Sequence, residues 1–357
     1  MGRAAGRRGQ ATGAPCGAGR RAIRAGAAAF SAAAAASRSA RASAQGGDAA
    51  SWFGNNQRPD GQKVEMKAGV IGLGAMGAPM ARYVHAMGGL TAVGNRTQAK
   101  ADALASELGV RAARSAANFA DCDVVILCVS LDADVLENVA ALAEVLKPGA
   151  IVVDHSTVSI ETARRSAAML AVHDIGFLDA PVSGGAEGAR NGKLSIMVGG
   201  DEAQLERVHE IVASYAARIT HMGATGAGQA TKAINQVLVA GINEAVCEGL
   251  ALAEKLGLEA DKLLPTLMAG AASNWFLDKR GATMLRDEFA PGFKCQHMLK
   301  DLRIVQGIAR DTGVRTATLD QAAADYAELI ERGYGEADTS ALIALKRARA
   351  QAESDAA

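Results

Sequence analysis

From Met66 onward, the apolar residues alternate between two textures: short continuous runs, and longer stretches spaced three or four apart. Residues 67–71 form the first run and read as a strand, and 76–87 follow with helical spacing. Residues 91–94 repeat the strand pattern, and Gln98–Leu108 reads as a helix stopped by Gly109. Residues 123–129 are apolar almost throughout, as a strand buried on both faces should be. A helix over 134–146 ends at Lys147-Pro148-Gly149, and Ile151–Asp154 is the next strand. Ser159 is placed to cap a helix over 160–172. Strands at 177–180 and Leu194–Gly199 follow, then a helix capped by Asp201 and running to about Tyr215. Repeated β-α units predict an α/β fold with a doubly wound, mostly parallel sheet, its ligand lying outside the carboxyl ends of the strands.

The texture changes at Gly226. From there to Arg349 the spacing is helical and no strand is convincing. The longest segment, 229–256, would make a helix about 40 Å long, too long to belong to the sheet alone. The expected organisation is therefore a sheet domain over 66–226 and an all-helical C-terminal domain over 227–350. The long helix is apolar around most of its circumference, more than one core needs, which predicts a homodimer or homotetramer.

Composition sharpens this picture at its ends. Residues 1–47 hold eight Arg and no Asp, Glu or Lys, so the zero formal charge hides a net of minus eight on the remainder. An acidic folded part is a poor nucleic-acid binder, and a small molecule is the expected partner. Residues 1–63, rich in Ala, Gly, Ser and Arg, lack the apolar period needed to order themselves. Two readings stand. The segment is a mitochondrial or plastid transit peptide. Or it is translated from a start assigned too early in a GC-rich gene, in which case the chain begins at Met66 and is expected to be cytoplasmic. The five Cys form no C-x-x-C pair and no metal-ligand spacing is present, so no metal is expected. The 229–256 segment comes nearest to a membrane span, but its Lys, Asn and Glu residues predict that no membrane is crossed.

Candidate chemistry begins at Gly72-Leu73-Gly74-Ala75-Met76-Gly77, a G-x-G-x-x-G spacing between a predicted strand and helix. The first glycine permits a tight turn, the second close approach of backbone to a pyrophosphate, and the third close packing of helix on strand. The sheet is thus of the Rossmann type and binds a dinucleotide. At the end of the next strand, where an NAD site carries Asp or Glu, stand Asn95, Arg96 and Thr97. With no carboxylate there to repel a 2′-phosphate and a guanidinium to bind it, NADP(H) is preferred and NAD(H) remains possible.

Further on, Lys232 and Asn235 lie three apart at the start of the long helix and share a face. An ammonium there can protonate a carbonyl oxygen while the amide orients the substrate. Between the domains, Ser183-Gly184-Gly185 follows a strand and Pro181. Two residues without Cβ let backbone N–H groups converge on an anion, and Ser183 adds a hydroxyl donor, a fit for a small carboxylate.

Together these segments, with Lys300-Asp301-Leu302, resemble the β-hydroxyacid dehydrogenase family, which includes 3-hydroxyisobutyrate dehydrogenase and the tartronate, glyoxylate and succinic semialdehyde reductases. The resemblance covers Met66 to about Ala350. It implies that Lys232 is the catalytic lysine, that Asn235 helps hold the substrate, and that Ser183, Gly184 and Gly185 bind its carboxylate. It further implies that Val129 and Ser130 lie against the cofactor, that Thr157 contacts its nicotinamide side, and that Lys300 reaches back to it. Asp301 is expected to be structural, for instance a helix-end partner. The implied activity is NADP(H)-dependent interconversion of a small semialdehyde acid and its hydroxyacid. An imine reductase of the same fold would replace the lysine with another acid. Decarboxylating 6-phosphogluconate dehydrogenase would carry a longer helical domain. A non-catalytic dinucleotide-binding protein would not need Lys232, Asn235 and Ser183 together.

Overall fold

The structure, a computed structural model, describes residues 65–356, and the expected extension over 1–63 lies outside them. Among the described residues, nine strands form one sheet. Six are parallel, in the order β3 (Arg111–Ala112), β2 (Leu90–Gly94), β1 (Ala68–Ile71), β4 (Val124–Leu127), β5 (Ile151–Asp154) and β6 (Gly176–Asp179). The order reverses between β1 and β4, which opens a crevice at their carboxyl ends. Beyond β6 the sheet turns antiparallel: β8 (Leu194–Gly199) pairs with β6 and with β7 (Val182–Ser183), and β9 (Ala216–Gly223) pairs parallel to β8.

Register makes this sheet a platform. Ile71 is level with Leu127, Leu127 with Asp154, and Asp154 with Asp179. The loops that follow these four strands therefore leave from one edge. The interiors of these four strands are apolar and feed both faces. In β4, Val124 and Ile126 enter one cluster and Val125 and Leu127 the opposite one. Helices α1 (Gly77–Ala86), α2 (Gln98–Leu108), α3 (Asp132–Ala143), α4 (Ile160–Ala171), the short α5 (Gly185–Arg190) and α6 (Glu202–Ala213) complete this half.

Three strands were not expected from the sequence. β3 and β7 have two residues each, too short to show a period. β9 carries Arg218, Thr220 and His221 and is nowhere fully buried, so its edge position hides the apolar signal.

Among the described residues no strand follows Gly223. Helix α7 (Ala227–Lys255) has 29 residues and begins two residues earlier than its periodicity predicts. It packs against α9 (Trp275–Met284), α10 (Cys295–Thr312), α11 (Ala317–Leu329) and α12 (Leu342–Ala356); α8 (Ala260–Met268) lies on α9. By length and composition alone α7 could cross a membrane, but half of its apolar window is buried inside the protein. Two of its buried polar residues have partners in the helical core: Asn243 Nδ2 donates to Tyr326 Oη at 2.9 Å, and Glu244 is paired with Lys346. One stripe stays outside. Ile234, Leu238, Ile242, Leu252 and Leu256 are all exposed and fall on one side of the helix.

The start of α7 is wedged against the sheet. A Cβ on Gly228 would lie 2.3 Å from Asp179 O and 2.5 Å from Met197 O, both backbone atoms that cannot yield cheaply. Gly228→Ala is expected to destabilise the protein by about 1–3 kcal/mol, the range for overpacking a tight interior. An unchanged urea-unfolding midpoint would show that the helix start has room to move.

Candidate active site

The dinucleotide loop fits its proposed ligand by what fills each glycine's side-chain space. Gly72 has φ 96° and a Cβ there would meet Cys128 O at 2.2 Å; one on Gly77 would meet Gly72 O at 1.9 Å. Those two glycines are required by the protein's own packing. Gly74 differs: a Cβ there would meet nothing within 4 Å. Leu73 is buried, Gly74 and Ala75 are exposed, and Met76 caps α1 without a side-chain hydrogen bond to the helix N–H groups. Exposed backbone at a helix N-terminus is suited to phosphate.

The adenosine end differs in part from expectation. Asn95 Oδ1 accepts from Leu73 N at 3.0 Å and its Nδ2 donates to Thr97 O at 3.1 Å, so this amide braces the glycine loop. Arg96 is 84% exposed, but its Nη1 lies 3.3 Å from Asp134 Oδ1. The β2 exit does lack a carboxylate of its own. One arrives from the first turn of α3, a neighbour that sequence spacing could not reveal.

Thr157 and Lys300, both expected on the cofactor side, are bonded to each other. Lys300 Nζ donates to Thr157 O at 2.5 Å, bridging the helical half and the β5 exit. Val129 N donates to Ser156 Oγ at 3.0 Å, and Ser130, one residue on, is exposed. Lys232 is buried in the second turn of α7, not the first, because the helix starts at Ala227. Burial lowers its pKa, the Asp301 carboxylate opposes the shift, and the Lys300 charge adds to it. Asn235 Nδ2 donates to Gln236 Oε1 at 2.8 Å, and Gln236 Nε2 donates to Asp301 Oδ2 at 2.7 Å. Asp301, also 3.0 Å from Lys300 Nζ, is thus no helix-end partner. It sits inside α10 and joins that helix to α7.

The anion turn is half strand. Ser183 pairs with Ser195 as the last residue of β7, and Gly184 and Gly185 have φ 121° and 58°. Across from it, a Cβ on Gly185 would be 3.7 Å from Gly292 O of the helical half. Asp338 fixes that facing loop, accepting from Gly292 N at 2.8 Å, Phe293 N at 3.0 Å and Arg280 Nε at 3.2 Å. Of the aromatic residues near it, Phe276 belongs to the helical core and Trp275 is exposed under the Arg280 guanidinium.

Two residues that sequence reasoning passed over hold these parts together. Asp179, fully buried, accepts from Gly226 N at 2.7 Å and Gln229 N at 2.9 Å, capping α7 from the end of β6. Burial raises its pKa and the N–H groups oppose the rise. Gln229 Nε2 donates to Ser156 O at 2.8 Å and its Oε1 accepts from Val158 N at 3.1 Å. The signal for Gln229 was present, since it lies three residues before Lys232 on one helix face. For Asp179 no local signal exists, because its partners are 47 and 50 residues away. Next to it in register, Asp154 is pushed up to about 7 by burial, with a smaller push from Asp179.

Comparison with known proteins gives this arrangement a context. Residues 67–223 match the family described as the NAD binding domain of 6-phosphogluconate dehydrogenase, and 226–346 match the one described as NAD-binding of NADP-dependent 3-hydroxyisobutyrate dehydrogenase. A probable 3-hydroxyisobutyrate dehydrogenase of Mycobacterium tuberculosis is 34% identical over 79% of this chain and 98% of its own length. An NAD-dependent L-serine dehydrogenase of Pseudomonas aeruginosa is 35% identical over 76% and 94%. The solved structure of Mycobacterium tuberculosis 3-hydroxyisobutyrate dehydrogenase with L-serine superposes with a TM-score of 0.72 at 31% identity, covering 80% of this chain and all of that one. With exposed backbone at the α1 start, a buried amine on α7 and relatives of this kind along nearly their whole length, the chain belongs to the β-hydroxyacid dehydrogenase family of NAD(P)-dependent oxidoreductases.

Proposed function

We propose that this enzyme interconverts a small semialdehyde acid and its hydroxyacid with NADP(H), and that Lys232 is its general acid and base. The observation that carries the reading is the buried Lys232 amine, held on the helix that docks onto the end of β6 and the Thr157 loop. A bound nicotinamide supplies or accepts the hydride. Ser183 and the Gly184 and Gly185 backbone hold the substrate carboxylate, and Asn235 orients the other end. In reduction Lys232 Nζ gives its proton to the carbonyl oxygen as charge develops there. In oxidation it takes that proton back, which a lowered pKa makes feasible. Thr157, Val129, Ser130 and Lys300 line the cofactor side. The 3-hydroxy acid in the names of the relatives, 3-hydroxyisobutyrate or L-serine, supports a substrate with a carboxylate and a nearby alcohol.

Lys232→Met is expected to lower kcat by about 10²–10⁴, the range for a lost general acid, with little change in dinucleotide affinity. Turnover is read on a panel of succinic semialdehyde, tartronate semialdehyde, glyoxylate, 3-hydroxyisobutyrate and L-serine. Near-normal rates in the variant would refute the assignment. In the wild type, kcat for reduction should fall as pH rises through the Lys232 pKa, because only the ammonium donates. Burial places that limb below the ordinary lysine value of roughly 10.4.

Arg96 is proposed to bind the 2′-phosphate. Arg96→Ala should reduce kcat/KM for NADPH by about 10–100-fold, matching a charge-assisted hydrogen bond of roughly 1.5–3 kcal/mol, and leave NADH nearly unaffected. Equal losses with both cofactors would argue against this role.

We also propose a homo-oligomer built on the exposed stripe of α7. A stripe of Ile234, Leu238 and Ile242 without charge is self-complementary, so a second copy related by a two-fold axis can cover it. Leu238→Asp should reduce the mass measured by light scattering to that of a smaller species. A wild-type protein that is already monomeric would exclude the proposal.

A further inference from the structure

The exits of β4, β5 and β6 are tied, directly or through one neighbour, to Gln229. From β5, Ser156 O and Val158 N flank Thr157, and the Gln229 amide occupies both, with Nε2 at 2.8 Å and Oε1 at 3.1 Å. From β4, Val129 N is held by Ser156 Oγ at 3.0 Å, one residue's bonds away from the same amide. From β6, Asp179 Oδ2 accepts from the Gln229 backbone N–H at 2.9 Å, four residues before Ser183. Gln229 is 2% exposed, so neither end of its amide has water as a substitute. One helical turn on stands Lys232. The Thr157 carbonyl is taken by Lys300, so both peptide groups that flank the Thr157 Cα are gripped by side chains of the helical half.

The chemistry of the grip is selective. Ser156 O and Val158 N–H present an acceptor and a donor to one side chain. A primary amide offers the complementary donor and acceptor at a fixed spacing. A carboxylate would oppose its own oxygen to Ser156 O, and an apolar side chain would leave two buried backbone groups without partners.

We infer that Gln229 is a positioning residue: its amide sets the separation between the Thr157 peptide, on the hydride side, and the Lys232 amine, on the proton side. This rests on the role proposed for Lys232 and deepens it. Gln229 touches no reacting atom. It acts by fixing two groups that must meet a substrate together, and small displacements of such groups depress the chemical step far more than binding.

The test compares Gln229→Met, Gln229→Glu and Lys232→Met with the wild type, reading kcat, substrate KM, the dissociation constant for NADPH and the pH profile of kcat for reduction. Gln229→Met should lower kcat on the order of 10–100-fold, as expected for a misplacement near 1 Å, while NADPH affinity, set mostly at the adenosine and phosphate end, changes less than about threefold. Gln229→Glu should also lower kcat, and should move the alkaline limb of its profile upward, because a carboxylate one turn from Lys232 favours the ammonium. The charged groups already acting on Lys232 are Asp301 and Lys300 of α10, and the buried carboxylates on the sheet side are Asp179 and Asp154. A kcat within about twofold of wild type in Gln229→Met overturns the inference, as does a fall matched by equal loss of NADPH affinity. If Gln229→Met does not fold, Gln229→Glu decides: an unmoved limb with unchanged kcat overturns it. Were Lys232→Met to turn over normally, the proposed reaction would fall first. With Lys232→Met inactive and Gln229→Met normal, only the positioning role falls.

Discussion

The docking of one helix start onto the ends of two strands governs this molecule. Asp179 closes β6 and caps α7, Gly228 leaves no clearance against Asp179 and Met197, and Gln229 reaches to the β5 exit. The carboxylate is buried at a cost in desolvation, and backbone N–H groups with the helix dipole offset part of it. The result is that the sheet half and the helical half do not meet as two smooth surfaces. They share a joint, and the joint lies within one helical turn of the buried amine.

The far part of α7 is fixed by different means. Lys346 of α12 is paired with Glu244 and Glu248 of α7 and with Asp325 of α11, and Arg349 adds a second cation to Asp325. Such a cluster gives little net stability once desolvation is counted, but it admits few alternative arrangements. It holds three helices in one register. Between the capped start and this cluster, α7 spans roughly 30 Å at the usual rise per residue.

Much of this was legible in the chain. Continuous apolar runs gave β1, β4, β5 and β6 within a residue or two, since a strand buried on both faces has little choice of composition. The glycine loop was legible because two of its glycines answer to sterics and the third to a ligand. The long helix was plain from its period, but its first two residues were not: Ala227 and Gly228 look like loop until the strand they press against is known. What remained hidden depends on residues distant in sequence. Asp134 reaches Arg96 across 38 positions, and Gln229 reaches Ser156 across 73. The edge strand β9 was hidden for the opposite reason, being too exposed to carry a pattern.

The contrast between Gly74 and its two neighbouring glycines reaches beyond the nucleotide loop. A methyl group at 72 or 77 collides with main chain, whereas one at 74 projects into open space. Selection for a well-folded, abundant polypeptide would therefore police the outer pair and ignore the middle one. Only a cell that needs the coenzyme bound would keep residue 74 small, so drift there alone would mark a lineage in which the scaffold outlived its catalysis.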